Sequence, residues 1–108
     1  MTPALIHHLV DTTAAIFGIT PEQVRSSSRK RPCVIARNIV VDIAYNDFLF
    51  KYNEIGSVIN RTHGTLIKNK ESYEADIKAI PELKYIRREV FNKAVDYLLQ
   101  MYGGYICD

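Results

Sequence analysis

Thr62, His63, Gly64, Thr65, Lys68 and Asn69 place hydroxyl, imidazole, amide and ammonium groups within one short stretch of this 108-residue chain. Short side chains of these types can hydrogen-bond to the edges of base pairs, and threonine also offers a methyl to thymine. Arg61, just before them, is placed to hold a phosphate, helped by the free N–H groups and dipole of a helix start. A second cluster, Ser28-Arg29-Lys30-Arg31, ends at Pro32, and Arg37 and Asn38 follow it. A flexible basic loop of this kind can run along phosphates or place an arginine in a minor groove. Each cluster also has a plainer reading: a helical hairpin with a polar outer face for the first, a solvated turn for the second.

Nothing in the chain is spaced for catalysis. No Ser/His/Asp or Cys/His set is readable and the acids are scattered, so an enzyme is not expected. His7 and His8 lie on a mainly apolar stretch with no third ligand at metal spacing. No G-x-x-x-x-G-K-[ST] loop occurs, so neither a nucleotide nor any other cofactor is expected. Cys33 and Cys107 stand far apart, with no disulfide framework, which suits reduced thiols in a cytoplasmic protein. Leu5–Ile19 is apolar but carries His7, His8 and Asp11, and is too short to span a membrane, so no membrane partner is expected.

Charge is divided along the chain. Residues 25–70 carry nine Lys/Arg against three acids, a net +6, whereas the remainder carries five against nine, a net −4. The basic half points to a polyanionic partner.

The elements that must position these residues can be read from caps and periodicity. Thr2 and Pro3 suit the N-cap and first position of a helix through Phe17 that Gly18 ends. Thr20-Pro21-Glu22-Gln23 is a capping box for a second, short helix. Pro32 opens a long apolar segment (Val34, Ile35, Ile39, Val40, Ile43, Ala44). It is rich in β-branched residues but too long for a strand, and it predicts a buried central helix. Residues 53–59 form a short helix and Asn60-Arg61 a tight turn. Thr62 then caps a helix 62–80 with Leu66, Tyr73, Ile77 and Ile80 inward. Pro81 starts a last helix with Leu83, Ile86, Val90, Ala94, Tyr97, Leu98 and Met101 inward, ended by Gly103-Gly104. The prediction is one all-α domain over 1–108, a small bundle of five to six helices containing a helix-turn-helix.

The residues also carry a resemblance. Ser26–Arg37 is similar to the basic loop and following helix of the C-terminal DNA-binding domain (domain IV) of DnaA, the family of bacterial replication initiators. Glu54-Ile55-Gly56 with Arg61-Thr62-His63-Gly64-Thr65-Leu66 resembles that family's E-I-G and G-G-R-D-H-T-T-V signature. Phe17-Gly18-Ile19 and Pro81-Glu82-Leu83 match in order and spacing. Asn60 replaces two glycines, Thr62 the family's Asp, and Gly64 the first of its paired threonines.

The resemblance implies a Trp-repressor-like bundle that binds double-stranded DNA sequence-specifically at a replication origin or related box, with replication proteins as further partners. Arg29 and Arg31 would be the minor-groove candidates. Thr62, His63, Gly64 and Thr65 would read the major groove from helix 62–80, while Arg37, Asn38 and Arg61 would meet the backbone. Met1 before a capped helix favours a stand-alone protein over an excised domain. The alternative is a protein-interaction module of the same fold that has lost base reading.

Overall fold

In the computed structural model, which describes residues 2–106, the chain forms α1 (Ala4–Phe17), α2 (Pro21–Arg25), α3 (Arg31–Asp42), α4 (Tyr52–Ile59), α5 (His63–Lys68), α6 (Lys70–Ala79) and α7 (Glu82–Ile106). A π-helical turn, Ile43–Asp47, extends α3, and no strand occurs among the described residues. Met1 and Cys107 lie outside them. The all-α fold class holds, with more helical segments than expected.

α3 is the axis of the bundle. Cys33, Ile35, Ala36, Ile39 and Val40 are all buried, with α1, α2 and α6 packed around them. A β-branched residue costs a helix about 0.5 kcal/mol relative to alanine, whereas burying its side chain returns roughly 1.5–3 kcal/mol. Burial therefore makes a helix of a segment whose local preference is extended. Leu5, Ile6, Leu9 and Val10 of α1, Ile55 and Ile59 of α4 and Val90 and Ala94 of α7 belong to the same core.

Several predicted ends are formed as expected. Gly18 closes α1 with φ 68°, and Ile19 N–H reaches the Ala14 carbonyl at 3.0 Å. Thr20 Oγ1 accepts from Gln23 N–H at 3.1 Å while Gln23 Oε1 accepts from Thr20 N–H at 2.8 Å, which completes the capping box. Three expectations are corrected. Thr2 makes no side-chain cap; Pro3 is already helical (φ −57°, ψ −17°), so the Thr2 carbonyl accepts from Leu5 N–H and α1 starts at Ala4. α7 runs through Gly103-Gly104 to Ile106, and Met101 is 57% exposed rather than inward.

The third correction concerns helix 62–80, which is interrupted by a turn at Asn69, where ψ of −9° lies at the edge of the helical region. An asparagine tolerates such a departure better than most residues because its helix propensity is low.

The turn between α4 and α5 is crowded. Asn60 takes the left-handed conformation (φ 60°, ψ 50°), which asparagine adopts more readily than most residues, and Arg61 N–H returns to the Gly56 carbonyl at 3.0 Å. A Cβ on Gly56 would strike the Arg61 carbonyl oxygen. Gly56→Ala should therefore cost about 1–3 kcal/mol in urea unfolding, the usual penalty for overpacking. A neutral result would show that the turn can move away.

A polar cluster ties α6 and α7 to the end of α3. Asp42 accepts from Tyr73 Oη at 2.6 Å, from Arg87 Nε at 2.7 Å and from Asn46 Nδ2 at 2.8 Å, and Arg87 also pairs with Asp47 at 2.8 Å. Burial pushes the Asp42 carboxyl up, but hydrogen bonds from Arg87, Tyr73 and Asn46 outweigh it and leave the group below its ordinary value. A carboxyl lowered in the folded state contributes stability above its unfolded value, near about 3.9, and loses it as pH falls through the folded value. Asp42→Asn should lower stability by about 1–3 kcal/mol at neutral pH and flatten the acid limb below about pH 4. Urea melts at a series of pH values test this, and an acid limb unchanged in the variant would refute it.

Candidate nucleic-acid interface

Arg37 turns inward. It is 4% exposed, and its guanidinium donates to the carbonyls of Val24 (2.8 Å), Ser26 (2.8 Å) and Ser28 (3.2 Å). These carbonyls belong to the end of α2 and the start of the basic loop, where no regular backbone ladder supplies donors. Burial, and then the positive charge of Arg61, lower its pKa from the ordinary arginine value. Asn38 is also buried, at 6% exposure, and its Nδ2 finds no hydrogen-bond partner. It forms part of the wall of a cleft of about 420 Å³ behind α5, with Tyr45, Tyr52, Leu66 and Tyr73. The expected backbone contacts from Arg37 and Asn38 are thus corrected: both side chains are buried, Arg37 beneath the Val24–Ser28 segment and Asn38 in the cleft wall.

The basic loop is fastened at its start and its end. Arg61 donates from Nη2 to the Ser26 carbonyl, which Arg37 also holds, and from Nη1 to the Asn60 carbonyl at 2.9 Å. The turn before α5 thus meets the start of the loop at one backbone oxygen. At the other end Arg31 Nη2 donates to Asp76 Oδ1 of α6 at 2.6 Å. Between these points Arg29 and Lys30 are exposed.

α5 presents the other cluster. Thr62 Oγ1 accepts from Thr65 N–H at 3.3 Å and shares a hydrogen bond with Thr65 Oγ1 at 2.8 Å, so Thr62 is first of all a helix cap. His63 is exposed, its ring 5.1 Å from that of Tyr52, which in turn stacks on Tyr45 at 4.2 Å. Gly64 faces open space: a Cβ there would meet nothing within 4 Å. Lys68 is exposed, while Thr65 and Asn69 are half-buried.

The structure therefore joins the two predicted clusters across the Ser26 carbonyl and removes Arg37 and Asn38 from their surface. Sequence reasoning missed the Ser26 carbonyl, Tyr52 and Asp76. An aromatic residue has many uses and a lone acid on an amphipathic helix looks like any solvated residue, so neither carried a signal. Among the described residues no group of three or more His, Cys, Asp or Glu could hold a metal, and no helix is long and apolar enough to cross a membrane.

Comparison with known proteins identifies the family. Residues 6–72 match the family described as bacterial DnaA protein helix-turn-helix. The chromosomal replication initiator protein DnaA of Pseudothermotoga lettingae is 27% identical over 100 residues, 93% of this chain and 21% of that protein. The DnaA of Oleidesulfovibrio alaskensis is 39% identical over 61 residues, 56% of this chain and 13% of that protein. DnaA 1 of Chlamydia trachomatis is 29% identical over 85 residues, 69% of this chain and 19% of that protein. The chain thus spans about a fifth or less of the length of these relatives. No solved structure gives a significant match. With well over half of its residues matched and a helix-turn-helix at the expected place, the chain belongs to the bacterial DnaA helix-turn-helix family.

Proposed function

We propose that this chain binds double-stranded DNA sequence-specifically, at a replication origin or a related regulatory box, and performs no chemistry itself. The observation that carries the reading is the junction at Ser26, where Arg61 of the helix-turn-helix turn and the buried Arg37 both donate to one carbonyl at the start of the basic loop. Two polar clusters fixed in this way can address two neighbouring grooves at once. In this reading α5 enters the major groove with Thr62, His63, Gly64 and Thr65 toward the bases, and Arg29 and Lys30 of the loop reach the minor groove or its phosphates, whereas Arg31, the other minor-groove candidate, is paired with Asp76. Lys68 and Asn69 follow along the backbone, and Arg61 steadies the turn. Arg37 shapes the loop from inside and meets no DNA. Replication proteins are further partners, the setting is the cytoplasm, and no nucleotide or other cofactor enters the role.

His63 is the residue expected to read a base: its ring is exposed and lies 5.1 Å from that of Tyr52, which stacks on Tyr45. After selection of a preferred site from a random duplex library, His63→Ala should cost about 1–3 kcal/mol on that site, the usual worth of a good base contact. Binding to a scrambled duplex should change little, since it is held almost entirely through phosphates. Gly64→Ala should leave the fold intact, given the open space around it, yet weaken the selected site if the backbone approaches the bases there. Titrations of both variants on both duplexes provide the measurement. A library with no enriched sequence would instead favour the interaction module without base reading.

The loop gives a second expectation. Each phosphate contact contributes a slope of about −0.9 to log affinity against log salt, so Arg29→Ala and Lys30→Ala should each flatten the dependence by about that amount. Affinities that do not change with salt would exclude DNA as the partner.

A further inference from the structure

Arg31 and Asp76 form an ion pair across 45 positions of sequence, Nη2 to Oδ1 at 2.6 Å. The partners differ in setting. The Asp76 side chain is 10% exposed, whereas that of Arg31 is 65% exposed. A carboxylate so nearly buried needs its cation, because an unpaired charge away from water is costly. Arg31 directly follows the exposed Arg29 and Lys30, so one of three consecutive cations is committed to an internal partner. Asp76 stands on α6, which is separated from α5 by Asn69 alone.

The loop is therefore attached to both flanks of α5, through Ser26 to the turn before it and through Arg31 to the helix after it. We propose that Asp76 is a positioning residue for DNA recognition: it withholds Arg31 from phosphates and uses it to fix the distance between the basic loop and α5. This rests on the DNA-binding reading above. A cation already neutralised by a carboxylate displaces no counterion from DNA, so Arg31 adds nothing to the salt dependence while the pair is intact. Without Asp76 the guanidinium is released toward phosphates and the loop loses its tie to α6. Non-specific binding then strengthens while discrimination between sites falls. Loss of a residue that merely stabilises the fold would weaken both.

The test compares the parent protein, Arg31→Ala, the near-isosteric Asp76→Asn and the double variant on the selected and scrambled duplexes. In the parent, Arg31→Ala should leave the salt slope unchanged. Asp76→Asn should steepen it by about 0.9, an extra loss of about 3.5-fold between roughly 50 and 200 mM salt. It should also tighten the scrambled duplex at low salt and narrow the ratio between the two sites. Adding Arg31→Ala to Asp76→Asn should restore the parent slope.

A flattened slope for Arg31→Ala alone would mean that Arg31 already meets a phosphate and would overturn the proposal. This arm decides the matter even if Asp76→Asn does not fold. Equal weakening of both duplexes by Asp76→Asn, with no change in slope, would reduce Asp76 to a structural residue and overturn it as well. A parent that binds neither duplex would overturn the DNA-binding reading and this proposal with it. A parent that binds while these slopes stay fixed overturns the positioning role alone.

Discussion

The buried guanidinium of Arg37 is the constraint on which the candidate interface depends. Its position in the core is tolerable because Val24, Ser26 and Ser28 turn their carbonyls toward it, and of these only Ser26 has a second side-chain donor, Arg61. The exchange shapes the chain from the end of α2 to the basic loop, a stretch with three consecutive serines and little propensity of its own. Arg61 then needs only to reach one of the same carbonyls for the helix-turn-helix to be placed against that loop. A cation inside the protein thus arranges the cations outside it.

A second set of contacts holds the opposite side. Tyr73 and Asp76 both lie on α6. Tyr73 reaches back to Asp42 at the end of α3, and Asp76 reaches forward to Arg31 at its start. α6 is therefore held to both ends of the central helix, and α5, one residue away, has little freedom to slide along it. Arg87 of α7 strengthens the rear contact through Asp42 and Asp47. The short α5 needs such support, because six residues form too few internal hydrogen bonds to be stable alone.

Much of this was legible in the residues, and the rest was hidden for identifiable reasons. Gly18, Thr20 with Gln23, Asn60 and Thr62 act through local backbone geometry, which a few adjacent residues determine, and they occur where the pattern places them. The central helix was legible because its apolar run outlasts any strand. Arg37 and Asn38 misled because polarity predicts exposure, and only the carbonyls of a distant segment make an inward arginine affordable. The Asp76 pair joins residues far apart in sequence, which no local pattern records. The turn at Asn69 leaves no mark in the pattern, because the inward spacing of Leu66 and Tyr73 continues across it.

The close approach at Gly56 has a different kind of consequence. The path of the turn into α5 is limited there by the overlap of atoms, not by an attraction. Hard-core repulsion does not weaken as ions accumulate and hardly changes with warming, unlike the charge contacts of the loop, which fade over a Debye length of about 10 Å at 0.1 M salt. Grip and aim are thus governed by separate physics. A cell whose ionic strength rises would loosen its hold on a polyanion while presenting α5 at the same inclination as before.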